Sequence, residues 1–313
     1  MKKILATLVM FAAMFSANVS AMSHAPETGY TETRYPIVLV HGFLGWDTML
    51  GIDYWYQITE ALQEGGADVY VVTVPNANTP EVRGEELIPQ VEEILALTGA
   101  EKVNLIGHSH GGPTTRYVAS VRPELVASVT SVSGVNKGTP IADTLMATAD
   151  DSEAFDAVFG GIVNLAAEAL NLISGAGYDD VNAMVAIASM TSERAVIFNN
   201  QHPGGIPDSA CGEGDYEYNG VRYYSWAGAD PTTVAIDPMD LITVAFSQFF
   251  PEGYVNDGFV GACDAHLGMV IRDDFVMNHL DEINQFLGLH DLNETDPVAV
   301  YRTHANRLKS AGL

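Results

Sequence analysis

Apolar residues along the chain come in short continuous runs that alternate with longer stretches of helical spacing. The runs at 35–40, 68–74, 102–106 and 125–133 hold almost no charge inside them and close on glycine, proline or a turn. That is the pattern of strands buried on both faces of a parallel sheet. Between the first two, Trp55, Ile58, Ala61 and Leu62 fall on one helical stripe within 54–64. Thr79-Pro80-Glu81 reads as a helix start, with a capping hydroxyl, proline at the first helical position and an acid in the first turn, and the periodicity runs on to Thr98-Gly99. A further helix is expected over 114–121. The alternation predicts an α/β fold with a mainly parallel sheet and helices on both faces, and in such sheets the chemistry sits at the carboxyl ends of the strands.

Two segments stand outside this alternation. At the start, Lys2 and Lys3 precede an apolar run over 4–15, followed by small residues suited to cleavage near residue 21 or 25. The run is shorter than the roughly 20 residues that span a bilayer, so residues 1–25 are expected to be a secretory signal peptide. No linker divides 26–313, which is expected to form a single domain. Within it, residues 150–175 place Phe155, Phe159, Ile162 and Leu170 on a broad apolar helical face, with Asp150, Asp151, Glu153 and Asp156 close by. A helical insertion is expected there, with more apolar surface than a soluble esterase needs and a face suited to an oil droplet.

Charge narrows the function further. Fourteen Lys and Arg stand against 40 Asp and Glu, a formal net charge of −26, which excludes nucleic-acid binding by phosphate neutralisation and favours cations such as Ca2+. With 47% hydrophobic and 17% charged residues the chain can bury a large core. The two cysteines, Cys211 and Cys263, can form one disulfide in an exported protein, contributing about 4 kcal/mol by loop-closure entropy.

The candidate chemistry begins at Gly107-His108-Ser109-His110-Gly111. This Gly-x-Ser-x-Gly pattern directly follows one predicted strand and precedes a predicted helix, the context a nucleophile elbow requires. Glycines two residues either side of the serine leave room for a strained turn, and the helix N-terminus favours the negative charge that develops in acyl transfer. A serine hydroxyl needs a base and an acid to orient that base. If the chain order is nucleophile, acid, base, the base is one of His202, His266, His279, His290 and His304, and the acid one of Asp230, Asp237, Asp240, Asp257 and Asp264. His279 is attractive because Met277-Asn278-His279-Leu280-Asp281 reads as the opening of a late helix, with Asp257 at an Asn256-Asp257-Gly258 turn upstream. Spacing alone leaves both choices open.

Taken together, the runs from Tyr35 to Gly45, from Val103 to Pro113, at Asn256-Asp257-Gly258 and at Met277 to Asp281 resemble the secreted bacterial triacylglycerol lipases of the Pseudomonas and Burkholderia type, over nearly the whole mature chain. The resemblance implies an α/β-hydrolase fold and a serine lipase acting on triacylglycerols. It assigns Ser109 as nucleophile, Asp257 as acid and His279 as base, with an oxyanion hole from the backbone N–H groups of Phe43 and His110. Relatives often have Met where Phe43 stands. It further implies one structural Ca2+ held by Asp237, Asp281 and the carbonyl oxygens of Gln285 and Leu289, the oxygen donors such a hard cation takes. Without the family, Asp281, Gln285 and Leu289 are only a row on a helix. The same resemblance implies the Cys211–Cys263 bridge, a mobile lid at 150–175, a monomer, and a dedicated membrane-anchored foldase as partner. An esterase, phospholipase or polyester hydrolase needs the same residues. The fold can also serve as an inert binding module, against which the intact Ser109, Asp257 and His279 argue.

Overall fold

The computed structural model describes residues 29–45, 48–49, 52–149, 180–234 and 236–313; the predicted signal peptide and the insertion at 150–175 lie outside the described residues. Six parallel strands, β1 (Ile37–Val40), β2 (Val69–Val72), β3 (Val103–His108), β4 (Val126–Val132), β5 (Val221–Gly228) and β6 (Met269–Phe275), stand in the order β2-β1-β3-β4-β5-β6. A two-residue strand, Glu217–Tyr218, pairs antiparallel with the start of β5.

The continuous apolar runs follow from burial on both faces. In β1, Ile37 and Leu39 pack with Trp55, Ile58, Leu62 and Tyr301 on one side, while Val38 and Val40 pack with Leu87, Val91 and Val118 on the other. The first side is covered by α1 (Ile58–Glu64) and α8 (Pro297–Ser310), the second by α2 (Pro80–Thr98) and α3 (Gly111–Val121). Helix α2 starts where its signals place it, with Thr79 Oγ1 accepting the Val82 N–H at 3.3 Å, and it ends at Gly99 in the left-handed region, φ 71°. Among the described residues, four more helices stand beyond β4. These are α4 (Pro140–Ala147), α5 (Asp180–Ser189), α6 (Ser192–Gln201) and α7 (Pro238–Ser247). Side chains of α4, α5 and α7 join Val135, just past β4, in a third apolar cluster that includes Leu145, Ile187, Met239 and Phe246.

Two elements differ from the sequence expectation. Helix α3 starts at Gly111 rather than at Thr114, because Pro113 falls within the first turn, where a missing N–H costs no hydrogen bond. The expected late helix after Met277 is instead a 3-10 turn over Asp281–Ile283. Asn278 Oδ1 takes the N–H groups of Leu280 and Asp281, and Asn284 and Leu287 have φ of 60° and 57°, which no helix continues through. Asp281, Gln285 and Leu289 therefore share an irregular loop and not one face of a helix.

Cys211 and Cys263 are joined, with Cα atoms 4.7 Å apart. No helix among the described residues is long and apolar enough to cross a membrane.

Candidate active site

Strand β3 runs directly into Ser109, whose φ of 56° is unusual for a residue with a Cβ. The turn is pinned from several sides. The Ser109 N–H donates to Val132 O at the end of β4 (2.9 Å), and its carbonyl accepts from Gly112 N (3.0 Å) and Val135 N (3.3 Å). A Cβ at Gly107 would strike the backbone of Gly111, and one at Gly111 would strike the carbonyl of Val40. Both glycines are thus demanded by the close approach of turn, helix and β1, and the strain at Ser109 is held by packing that has no slack.

The loop after β1 lies against this turn, where a Cβ at Gly42 would stand 2.8 Å from Ser109 Cβ. It is held from beneath by Arg83, which is fully buried on α2 and donates to the carbonyls of His41, Gly42 (3.2 Å) and Pro75 (3.1 Å) and to Thr114 Oγ1 (3.1 Å). Burial pulls its pKa down to about 9. Four acceptors nonetheless satisfy this lone guanidinium, and they fix the loop's carbonyls facing inward. Among the described residues, neither Phe43 N–H nor His110 N–H has a protein acceptor. Both remain free to donate at the site.

The candidate acid and base meet across the sheet's edge. His279 Nδ1 donates to Asp257 Oδ2 at 2.7 Å, and Asp257 Oδ1 also accepts the N–H groups of Phe259 (2.8 Å) and Val260 (2.7 Å). Asp257 sits in a tight turn closed by an Asn256–Gly261 bridge and made possible by Gly258 at φ 101°. Both side chains are buried. Ser109 and His279 line one cavity of about 230 Å³, whose other walls are Phe43, Leu145, Ile187, Met239, Phe246 and Phe259 among further apolar side chains. The three residues singled out from the sequence are therefore brought together, while His202, His266, His290 and His304 have other partners: Ser120, Gly212 and Asp273, Gly288, and Thr130 respectively.

Asp237 and Asp281 also converge, both buried, with the Asp237 carboxylate disfavouring the charge of Asp281. Burial pushes Asp237 up to about 6 and Asp281 up to about 8, with the Asp240 carboxylate adding to both. Asp237 Oδ2 and Asp281 Oδ1 are buried oxygens that no described donor satisfies, and leaving such oxygens unpaired is costly. The carbonyl oxygens of Gln285 and Leu289 likewise receive no hydrogen bond from a described residue.

Sequence reasoning missed Arg83, although a signal existed: it shares a helical stripe with Leu87, Val91 and Ile94, a charge on a buried face. Tyr54, His108 and Glu282, all buried beside the site, carried no such mark.

A serine on a strained strand-to-helix turn at the carboxyl edge of a parallel sheet, with an Asp-His pair beside it, is the arrangement of α/β hydrolases. Residues 35–282 match the α/β-hydrolase fold family. A triacylglycerol lipase from Vibrio cholerae is 52% identical over 311 residues, 99% of this chain and 98% of the relative. One from Pseudomonas fragi is 40% identical over 289 residues, 90% of this chain and 98% of the relative. The crystal structure of a mature lipase from Bacillus licheniformis superposes with a TM-score of 0.59 at 17% identity, covering 93% of this chain and 96% of that one, a likeness of fold. The chain belongs to the α/β-hydrolase fold family and, within it, to the bacterial triacylglycerol lipases.

Proposed function

We propose that the protein is a secreted lipase that hydrolyses triacylglycerols through an acyl-enzyme formed on Ser109. The observation that carries this reading is the convergence of Ser109 and the Asp257–His279 pair on one apolar-walled cavity. In this reading Ser109 Oγ attacks the ester carbonyl carbon while His279 takes its proton, and Asp257 holds the imidazole in the tautomer that leaves its other nitrogen free. The N–H groups of Phe43 and His110 receive the charge that develops on the carbonyl oxygen. As the carbonyl re-forms, the bond to the glycerol oxygen breaks and His279 returns the proton to it; water, activated by the same imidazole, then releases the fatty acid. The apolar walls seat the acyl chain and exclude water from the tetrahedral centre. Export through the 1–25 segment, folding with a dedicated membrane-anchored foldase, and action as a monomer with a lid at 150–175 complete the reading.

The test is fatty-acid release by titration from an emulsified long-chain triacylglycerol. Wild-type protein should release acid and Ser109→Ala should release none. Release from short soluble esters alone would replace the lipase reading with an esterase, and none from any ester would leave the inert binding module.

Asp237, Asp281 and the carbonyls of Gln285 and Leu289 fit one Ca2+, since two of these oxygens are buried without donors. The ion would supply positive charge that lets both carboxylates stay ionised. What the chain itself contributes is placement, because Asp281 lies two residues beyond His279 and anchors the loop that presents the base. A chelator should lower the melting temperature, Ca2+ should restore it, and Asp237→Asn should abolish the response; identical melting with and without chelator would refute the site.

A further inference from the structure

Tyr54 and His108 take no part in the steps above, yet both are buried beside Ser109 and stand in one unbroken row of hydrogen bonds. The Gly42 N–H reaches Tyr54 Oη at 3.1 Å, Tyr54 Oη lies 2.6 Å from His108 Nδ1, and His108 Nε2 lies 3.0 Å from the main-chain carbonyl of His279. The two ends fix the outer bonds, and a neutral imidazole fixes the middle one. A backbone N–H can only donate and a carbonyl can only accept, so His108 carries its proton on Nε2, its Nδ1 accepts from Tyr54, and the Tyr54 oxygen accepts from Gly42. This polarity needs a neutral imidazole. Complete burial, with the His279 ring 4.4 Å away, holds His108 well below the usual histidine range.

We infer that Tyr54 and His108 are positioning residues, a directed row that sets the oxyanion loop at Gly42 and Phe43 against the loop bearing His279. The nucleophile is held between them, since His108 immediately precedes Ser109. The inference rests on the serine-hydrolase reading above and extends it to residues outside the triad. Its physical basis is that the row occupies the Gly42 N–H and thereby orients the next peptide, whose N–H belongs to Phe43. A donor used only when charge develops on the carbonyl oxygen acts on the transition state and not on substrate binding. Misplacing such a group by about 1 Å can cost about 100-fold in rate.

The experiment compares wild type, Tyr54→Phe, His108→Gln and the double variant, full-length and correctly exported, by kcat and KM on a soluble butyrate ester and by melting temperature. Ser109→Ala runs alongside. Wild-type turnover with an inert Ser109→Ala secures the serine-hydrolase reading independently of the row. Tyr54→Phe is then expected to lose about 10- to 100-fold in kcat with KM within about twofold of wild type. The double variant is expected to lose no more than the worse single one, because a row cut once is already broken. A kcat for Tyr54→Phe within twofold of wild type would overturn the inference. So would losses that multiply in the double variant, or a rise in KM in place of the fall in kcat, which would mean that Tyr54 contacts substrate directly. Should His108→Gln fail to fold, the kcat and KM of Tyr54→Phe decide alone.

Discussion

At the scale of single residues, the site depends on atoms that are missing as much as on those present. Gly107 and Gly111 carry no chemistry, yet a methyl group at either would meet the backbone of a neighbouring element. Backbone cannot give way as a flexible side chain can. Gly107→Ala is therefore expected to destabilise the fold by about 3 kcal/mol, the upper end of the range for overpacking, as read from chemical denaturation; a loss under about 0.5 kcal/mol, the scatter of neutral surface changes, would mean that the turn has slack. This is also where the sequence was most legible. The nucleophile turn is local, and its glycines and serine must be adjacent in the chain for the geometry to exist. Acid and base were not legible in that way. His279 and Asp257 are partners because the sheet brings two distant loops to one edge, and a turn aspartate looks the same in sequence whether or not a histidine faces it.

At the scale of elements, the strands and α2 could be read because their burial pattern repeats along several residues, and a cap and a proline mark where α2 begins. The segment after Met277 could not. Its apolar and polar positions allow a helix, but Asn278 diverts two N–H groups and the buried Asp281 and Glu282 draw the chain inward, so tertiary demand overrides local preference. A comparable demand ties β6 to the approach of α8. Arg272 grips both oxygens of Glu294 (2.7 and 2.8 Å), which also accepts the N–H groups of Val276 (2.9 Å) and Thr295 (2.6 Å). Burial raises the pKa of Glu294, but these four donors outweigh it and hold the carboxyl at about 2, against an ordinary 4.5. A depressed acid stabilises the fold above its ordinary pKa and loses that contribution as pH falls through the folded value. The melting temperature of Glu294→Gln should thus lie below wild type at neutral pH, and the gap should close as pH falls from 4.5 toward 2. A gap independent of pH would mean that the pair contributes through packing alone.

At the scale of the whole molecule, one sheet separates two apolar cores, and a third cluster supplies apolar walls of the cavity at Ser109. The first two are what any buried parallel sheet demands; the third encloses the cavity at Ser109. Its walls come from α4, α5 and α7, elements outside the strand-helix alternation that made the fold readable, which is why the sequence pointed to the Ser109 turn but not to the pocket. The net charge of −26 favours solubility and repels anionic surfaces.

The proposed mechanism requires that Ser109 be an activated nucleophile and not merely a serine on a tight turn. Stoichiometric labelling with an alkyl phosphonate ester, followed by peptide mass analysis, tests it most directly. One adduct per molecule on Ser109, formed in step with the loss of fatty-acid release and absent from Ser109→Ala, is the predicted result. Labelling at another residue, or no labelling of a protein that still releases fatty acid, would contradict the assignment of Ser109.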